Sequence, residues 1–219
     1  MIAAVLVHGL YHQPAHFTAL AALLRARGVE VTAPALHRGS LAEDTRAVQA
    51  AVDALPTPPV VLGHSYGGSV ITGLTGVARL VYVAAFVPDQ GESAAVLGGA
   101  SALLRTAVLP NADGTTHIDP TLAADLFYGD CPPAVAAHAT ALLRHQSPGC
   151  GRGVPQRQAW RDTPSTYVVC ALDRAVDPAV QRAMAERCTT TVERPTSHSP
   201  YLSRPAEVAT LIETSAKPG

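Results

Sequence analysis

The chain has 219 residues, 47% of them apolar and 15% charged, which is enough for one sizeable hydrophobic core and short for two. Sixteen Lys and Arg stand against 17 Asp and Glu, a near-neutral balance that argues against a surface built to bind nucleic acid or anionic lipid. No apolar run reaches the roughly 18 residues of a membrane span, and "MIAAVLVHG" lacks the basic lead and cleavage site of a secretory signal, so a cytoplasmic monomer or homodimer is expected.

Short apolar runs alternate with longer helical patterns, the mark of parallel strands joined by crossover helices. A strand is predicted at 3–7 ("AAVLV"), followed by the loop "HGLYHQPAHF". His8, His12 and His16 recur every four residues there, a spacing that on one helix would align three imidazoles for a metal. Pro14 interrupts the segment and His8 ends a strand, so they are expected as loop histidines near a pocket, with no metal and no cofactor. A helix at 16–28 has leucines three and four apart and a closing glycine, and a strand follows at 29–33. The helix at 40–55 opens with Ser40 as its cap and Glu43 three residues on.

Strands at 59–63 and 79–85 flank the segment "GHSYGG", and further strands are predicted at 165–171 and 189–193 before a closing helix at 205–214. Their near-continuous β-branched content implies burial on both faces. Between about 88 and 161 the patterns "SAAVLGGASALLRTAV", "PTLAADLFYG" and "PPAVAAHATALLRHQ" are helical, without a convincing strand. The expected organisation is therefore one domain over 1–219, with a core at about 1–87 and 162–219 and a helical cap at about 88–161. Cys131, Cys150, Cys170 and Cys188 lie 19, 20 and 18 residues apart, which fits buried free thiols, with a Cys131–Cys150 bridge as the alternative.

Gly63-His64-Ser65-Tyr66-Gly67 has the form G-x-S-x-G, after a buried strand and before a helix. In that setting the serine sits on a tight, strained turn with its hydroxyl above the sheet, and the glycines leave room for strand and helix to close on each other. A serine attacks only if a base takes its proton and an acid holds that base in the right tautomer. In this architecture the acid follows a late strand and the histidine the last one. Asp173 directly follows "TYVVCAL", and His198 in "RPTSHSPYL" is the only histidine after it. Asp177 competes for the acid but lies further from the strand end. The backbone N–H groups of Tyr66 and Leu10 are the expected oxyanion donors. His12, His64, Phe127 and Tyr128 are expected around the substrate, and one or two of the cap's apolar residues, such as Leu103, Leu104, Leu142 and Leu143, should join them.

With "LVHG", "GHSYGG", "VYVAAFVP", "ALDRAV" and "SHSPYLSRP" spread along it, the chain resembles the α/β-hydrolase superfamily, more narrowly the compact branch of plant methyl esterases, hydroxynitrile lyases and small bacterial esterases. The resemblance implies a mostly parallel six-stranded sheet flanked by helices, with a helical cap insertion. It also implies a test between activities: the lyases of this branch carry threonine for the glycine of the "HG" motif and a lysine beside the histidine. Here Gly9 is glycine, Ser199 follows His198, and Lys217 sits in the C-terminal tail. A serine carboxylesterase acting on small to medium apolar esters or lactones through an acyl-enzyme is therefore expected. The alternatives are a lyase, C–C hydrolase or tailoring enzyme of small-molecule biosynthesis using the same triad, and a non-catalytic ligand receptor.

Overall fold

The computed structural model describes residues 2–37 and 39–216, so Lys217 lies outside the described residues. The first part of the chain runs β1 (Ala3–Val7), α1 (Thr18–Ala26), β2 (Glu30–Thr32), α2 (Leu41–Asp53), β3 (Val60–His64), α3 (Gly67–Thr72) and β4 (Arg79–Val83). An insertion follows with α4 (Ala94–Leu97), α5 (Ala102–Ala107), β5 (Val108–Pro110), β6 (Thr116–Ile118), α6 (Pro120–Phe127) and α7 (Pro133–Ala141). The chain returns through β7 (Ser165–Cys170), α8 (Pro178–Ala185), β8 (Thr190–Arg194), α9 (Pro200–Ser203) and α10 (Pro205–Ser215).

Six strands form one sheet in the order β2-β1-β3-β4-β7-β8, every neighbouring pair parallel. From β1 the chain steps outward to β2 and then back across to β3, so the order reverses between β1 and β3. At such a reversal the loops leaving the two strands diverge and open a crevice. The residues that open it are those following Val7 and His64.

Side-chain alternation divides the core in two. Val5, Val7, Val61, Tyr82 and Val169 face α2 and α3, which contribute Val48, Val52, Val70 and Ile71. Ala4, Leu6, Leu62, Val81 and Val83 face α1 and α10, which contribute Leu20, Leu24, Val208 and Ile212. The period-2 pattern thus buries both faces of β1, β3, β4 and β7. The edges differ from that expectation: Thr190, Thr191, Glu193 and Arg194 of β8 and Glu30 of β2 are exposed. An edge strand has one neighbour, and polar or charged residues there discourage pairing with another chain.

Ser40 caps α2 as the sequence indicates, its Oγ accepting the Glu43 N–H at 3.2 Å. Helix α8 has no counterpart among the sequence expectations; Asp177 caps it, accepting the Ala179 N–H at 2.8 Å, with Pro178 in the first turn. In the insertion, the pattern at 93–108 is two helices rather than one. Gly98 and Gly99 take φ of 72° and 84°, and Ser93 and Ser101 each cap the helix that follows them. The insertion also contains a strand pair, β5 antiparallel to β6, and Thr116 further pairs with Gln146, which corrects the all-helical expectation. All four cysteines are free, Cys150 and Cys170 buried and Cys131 and Cys188 half-buried. No helix among the described residues is long and apolar enough to cross a membrane.

Three glycines set how closely β3 and α3 approach their neighbours. A Cβ on Gly63 would lie 2.7 Å from the Gly67 carbonyl oxygen, and one on Gly67 would lie 2.5 Å from that of Val7. A Cβ on Gly68 would press closer still on the Phe86 carbonyl. The obstacle is backbone in each case, so it cannot rotate away. Gly68→Ala should lower unfolding free energy by about 1–3 kcal/mol or block folding. Gly129→Ala, whose Cβ meets nothing nearer than 3.7 Å, should cost less than about 0.5 kcal/mol, and urea titration of the two variants compares them.

Candidate active site

Strand β3 delivers Ser65 in a left-handed conformation with φ of 54°, a strained state for a residue with a side chain. Its backbone is held by β4 and the segment beyond it: Ser65 N–H donates to Val83 O at 3.1 Å, and Ser65 O accepts from Phe86 N–H at 3.1 Å and Gly68 N–H at 3.0 Å. The turn is therefore fixed from outside, and helix α3 starts immediately after it.

The loop leaving β1 lies directly against this turn. A Cβ on Gly9 would stand 2.8 Å from the Ser65 Cβ and 3.3 Å from His64 Nδ1, so threonine could not enter there without displacing the serine. Among the described residues, neither Leu10 N–H nor Tyr66 N–H has a protein acceptor. Tyr66 is anchored at its other end, its hydroxyl donating to the buried Asp44 of α2 at 2.8 Å. The β1 loop is in turn tied to the insertion. Arg144 N–H donates to Tyr11 O at 2.8 Å, Gln13 Nε2 to Leu142 O at 2.7 Å, and His16 Nε2–H to Ala139 O at 3.1 Å.

On the other side of the crevice, His198 Nδ1–H donates to Asp173 Oδ2 at 2.7 Å, both side chains almost fully buried. The same carboxylate accepts the Ala175 and Val176 N–H groups on Oδ1 at 2.7 and 3.0 Å and Gln181 Nε2 on Oδ2 at 2.7 Å. Four donors fill its acceptor sites. Asp177, the competing acid in sequence, is occupied as the cap of α8. With Nδ1 committed to Asp173, the imidazole keeps Nε2 as a proton acceptor.

Ser65 and His198 line one predominantly apolar cavity of about 340 Å³, together with Leu10, Tyr66, Phe86 and Phe127. Of the four residues expected around the substrate only Phe127 reaches it; His12, His64 and Tyr128 are buried beneath, which corrects that expectation. His64 Nε2–H donates to His198 O at 3.0 Å and its Nδ1 accepts from Tyr201 OH at 3.4 Å. His12 Nδ1–H donates to Leu10 O at 2.9 Å, and Tyr128 OH donates to His12 Nε2 at 3.0 Å. These side chains hold the backbone of the site. From the insertion, Leu104 lines the cavity, as do Ala94, Gly98 and Arg152, which carry no sequence signal of that role.

The histidines beneath the site are neutral. Burial pushes His8 down to about 3 and holds His12 and His64 well below the usual imidazole value, with neighbouring imidazoles adding to the effect. Below about pH 6.5 the unfolded chain protonates these groups while the folded one does not, so unfolding takes up protons and stability is lost as the pH is lowered. The three together should give a slope of up to about 4 kcal/mol per pH unit, at roughly 1.4 kcal/mol for each, from about pH 6 downward. Urea midpoints from pH 7.5 to 5 measure it, and a flat profile would contradict the neutral assignment.

A family model described as alpha/beta hydrolase family matches residues 4–211. The chain is 27% identical to alpha/beta hydrolase nvfD of Aspergillus novofumigatus over 98% of this chain and 96% of that one. It is 29% identical to a pyrethroid hydrolase of Sphingobium wenxiniae over 95% of this chain and 85% of the other. The crystal structure of a pyrethroid hydrolase from Sphingobium faniae JZ-2 superposes with a TM-score of 0.85 at 26% identity, covering 98% and 97% of the two chains. A six-stranded parallel sheet, a strained serine turn at its switch point and a match over nearly the whole length lead to one conclusion: the chain belongs to the alpha/beta hydrolase family.

Proposed function

We propose that this hydrolase is a serine carboxylesterase cleaving small to medium apolar esters or lactones through an acyl-enzyme. The observation that carries the reading is the buried His198–Asp173 hydrogen bond on the cavity that Ser65 also lines. Ser65 attacks the ester carbonyl as His198 Nε2 takes its proton; His198 then protonates the leaving alcohol, and water repeats the steps on the acyl-enzyme. Asp173 holds the tautomer and stabilises the imidazolium. The free N–H groups of Leu10 and Tyr66 receive the oxyanion, each such donor being worth a factor of about 10²–10³ in rate.

Apolar lining of the cavity favours apolar acyl or alcohol groups. The close approach of Gly9 to Ser65 favours hydrolysis over the lyase alternative, whose threonine would collide there, and the relatives named as hydrolases support the same choice. Each role falls to a group of the chain or to water, so the chemistry requires no cofactor.

A fluorophosphonate probe should label the folded protein at Ser65, located by peptide mass spectrometry. p-Nitrophenyl acetate should give a burst followed by steady turnover. Ser65→Ala should abolish labelling and reduce kcat by at least about 10³-fold. A folded protein that resists labelling, with Ser65→Ala hydrolysing esters at the wild-type rate, would remove the proposal.

A further inference from the structure

Gln181, on α8, is fully buried and does not line the cavity. Its carboxamide makes three hydrogen bonds to the segment that carries Asp173. Oε1 accepts the N–H of Cys170, the last residue of β7, at 2.9 Å. Nε2 donates to Asp173 Oδ2 at 2.7 Å and to Val176 O at 2.9 Å. One planar amide thus ties together the start, middle and end of residues 170–176. Its orientation is dictated by chemistry, since only the oxygen can face an N–H and only the nitrogen can face a carboxylate and a carbonyl.

The oxygen that Gln181 contacts is the one that receives His198 Nδ1–H. Of the four donors to Asp173, two are main-chain amides and one is His198, so Gln181 is the side chain that aims the carboxylate. We infer that Gln181 is a positioning residue of the reaction, setting the direction in which Asp173 holds His198. The inference rests on the Ser65–His198–Asp173 reading above.

No formal charge around the pair can substitute for it. His64 and His12 face His198 as neutral imidazoles, and Cys170 and Tyr167 stay protonated in the apolar interior beside Asp173. Asp130 is engaged by Ser197 Oγ, and Arg174, one residue beyond Asp173, pairs outward with Asp125. Neutral hydrogen bonds therefore set the carboxylate's geometry, and a misaimed carboxylate misaims the imidazole.

Gln181→Met keeps side-chain length and removes both amide functions. Per fluorophosphonate-titrated site, its kcat should fall about 10–100-fold, as on losing an outer hydrogen-bond partner of a reactive group, while KM changes by less than about threefold. Gln181→Glu can donate to Asp173 only while its own carboxyl is protonated. Its activity should therefore be nearest wild type at the acid end and decline as pH rises through the titration of that carboxyl, whereas wild-type activity does not decline there. The downfield proton resonance of the His198–Asp173 bond should shift in Gln181→Glu, a readout that stands if Gln181→Met does not fold. Variants with kcat per labelled site within twofold of wild type, an unchanged pH profile and an unshifted resonance would overturn the inference while leaving the triad reading intact. Wild-type protein with neither labelling nor Ser65-dependent turnover would overturn both.

Discussion

Ser65 stands at a φ that side chains avoid, and it does so because the exit of β4 grips it on both sides. Val83 O takes its N–H, and Phe86 N–H takes its carbonyl. That grip requires β3, α3 and the β4 exit to approach more closely than side chains allow, which is what Gly63, Gly67 and Gly68 permit. The strain of order 1–3 kcal/mol at the serine is offset by the packing of the sheet and helices on either side. Position of the hydroxyl is therefore a property of the whole central sheet, and β1 extends it by pressing Gly9 against Ser65.

Around that fixed turn the remaining groups are held by polar side chains that never meet the cavity. His64 secures the carbonyl of His198, His12 that of Leu10, Asp44 the phenol of Tyr66, and Gln181 the carboxylate of Asp173. Each of these is buried and nearly all are neutral. Burial alone would make such groups costly, but their donors and acceptors are paired with main-chain or side-chain partners, so they hold the structure rigid. The lining of the cavity thus rests on a hydrogen-bonded floor.

Much of this was legible in the sequence because it depends on local signals. The strand-glycine-serine-glycine pattern marks the turn, Asp173 stands at a strand end, and His198 is the only downstream histidine. The four central strands of the main sheet were readable from apolar runs, and the edge strands β2 and β8 from their Val and Thr content. What escaped were features set by contacts distant in sequence. Gln181 looks like any polar residue of a short helix until α8 is folded beneath the β7 exit. His12, His64 and Tyr128 look like pocket residues because they neighbour the motifs, yet they point beneath the floor. The β5–β6 pair escaped because strands of three residues carry too little periodicity to register.

The bonds from Tyr11, Gln13 and His16 to the far end of α7 have a bearing on how this scaffold can diversify. They make one flank of the roof continuous with the loop that carries Leu10, so sequence drift in α7 would be transmitted to the Leu10 amide beside Ser65. The opposite flank, formed by α4 and the Gly98-Gly99 break, has no such bond to the β1 loop among the described hydrogen bonds, whereas Gln146 links Tyr11 N–H to Cys150 Sγ beside Arg152. New substrate preferences in this lineage would accordingly accumulate on that untethered side, where walls can be rebuilt without moving Ser65 or the loop beside it.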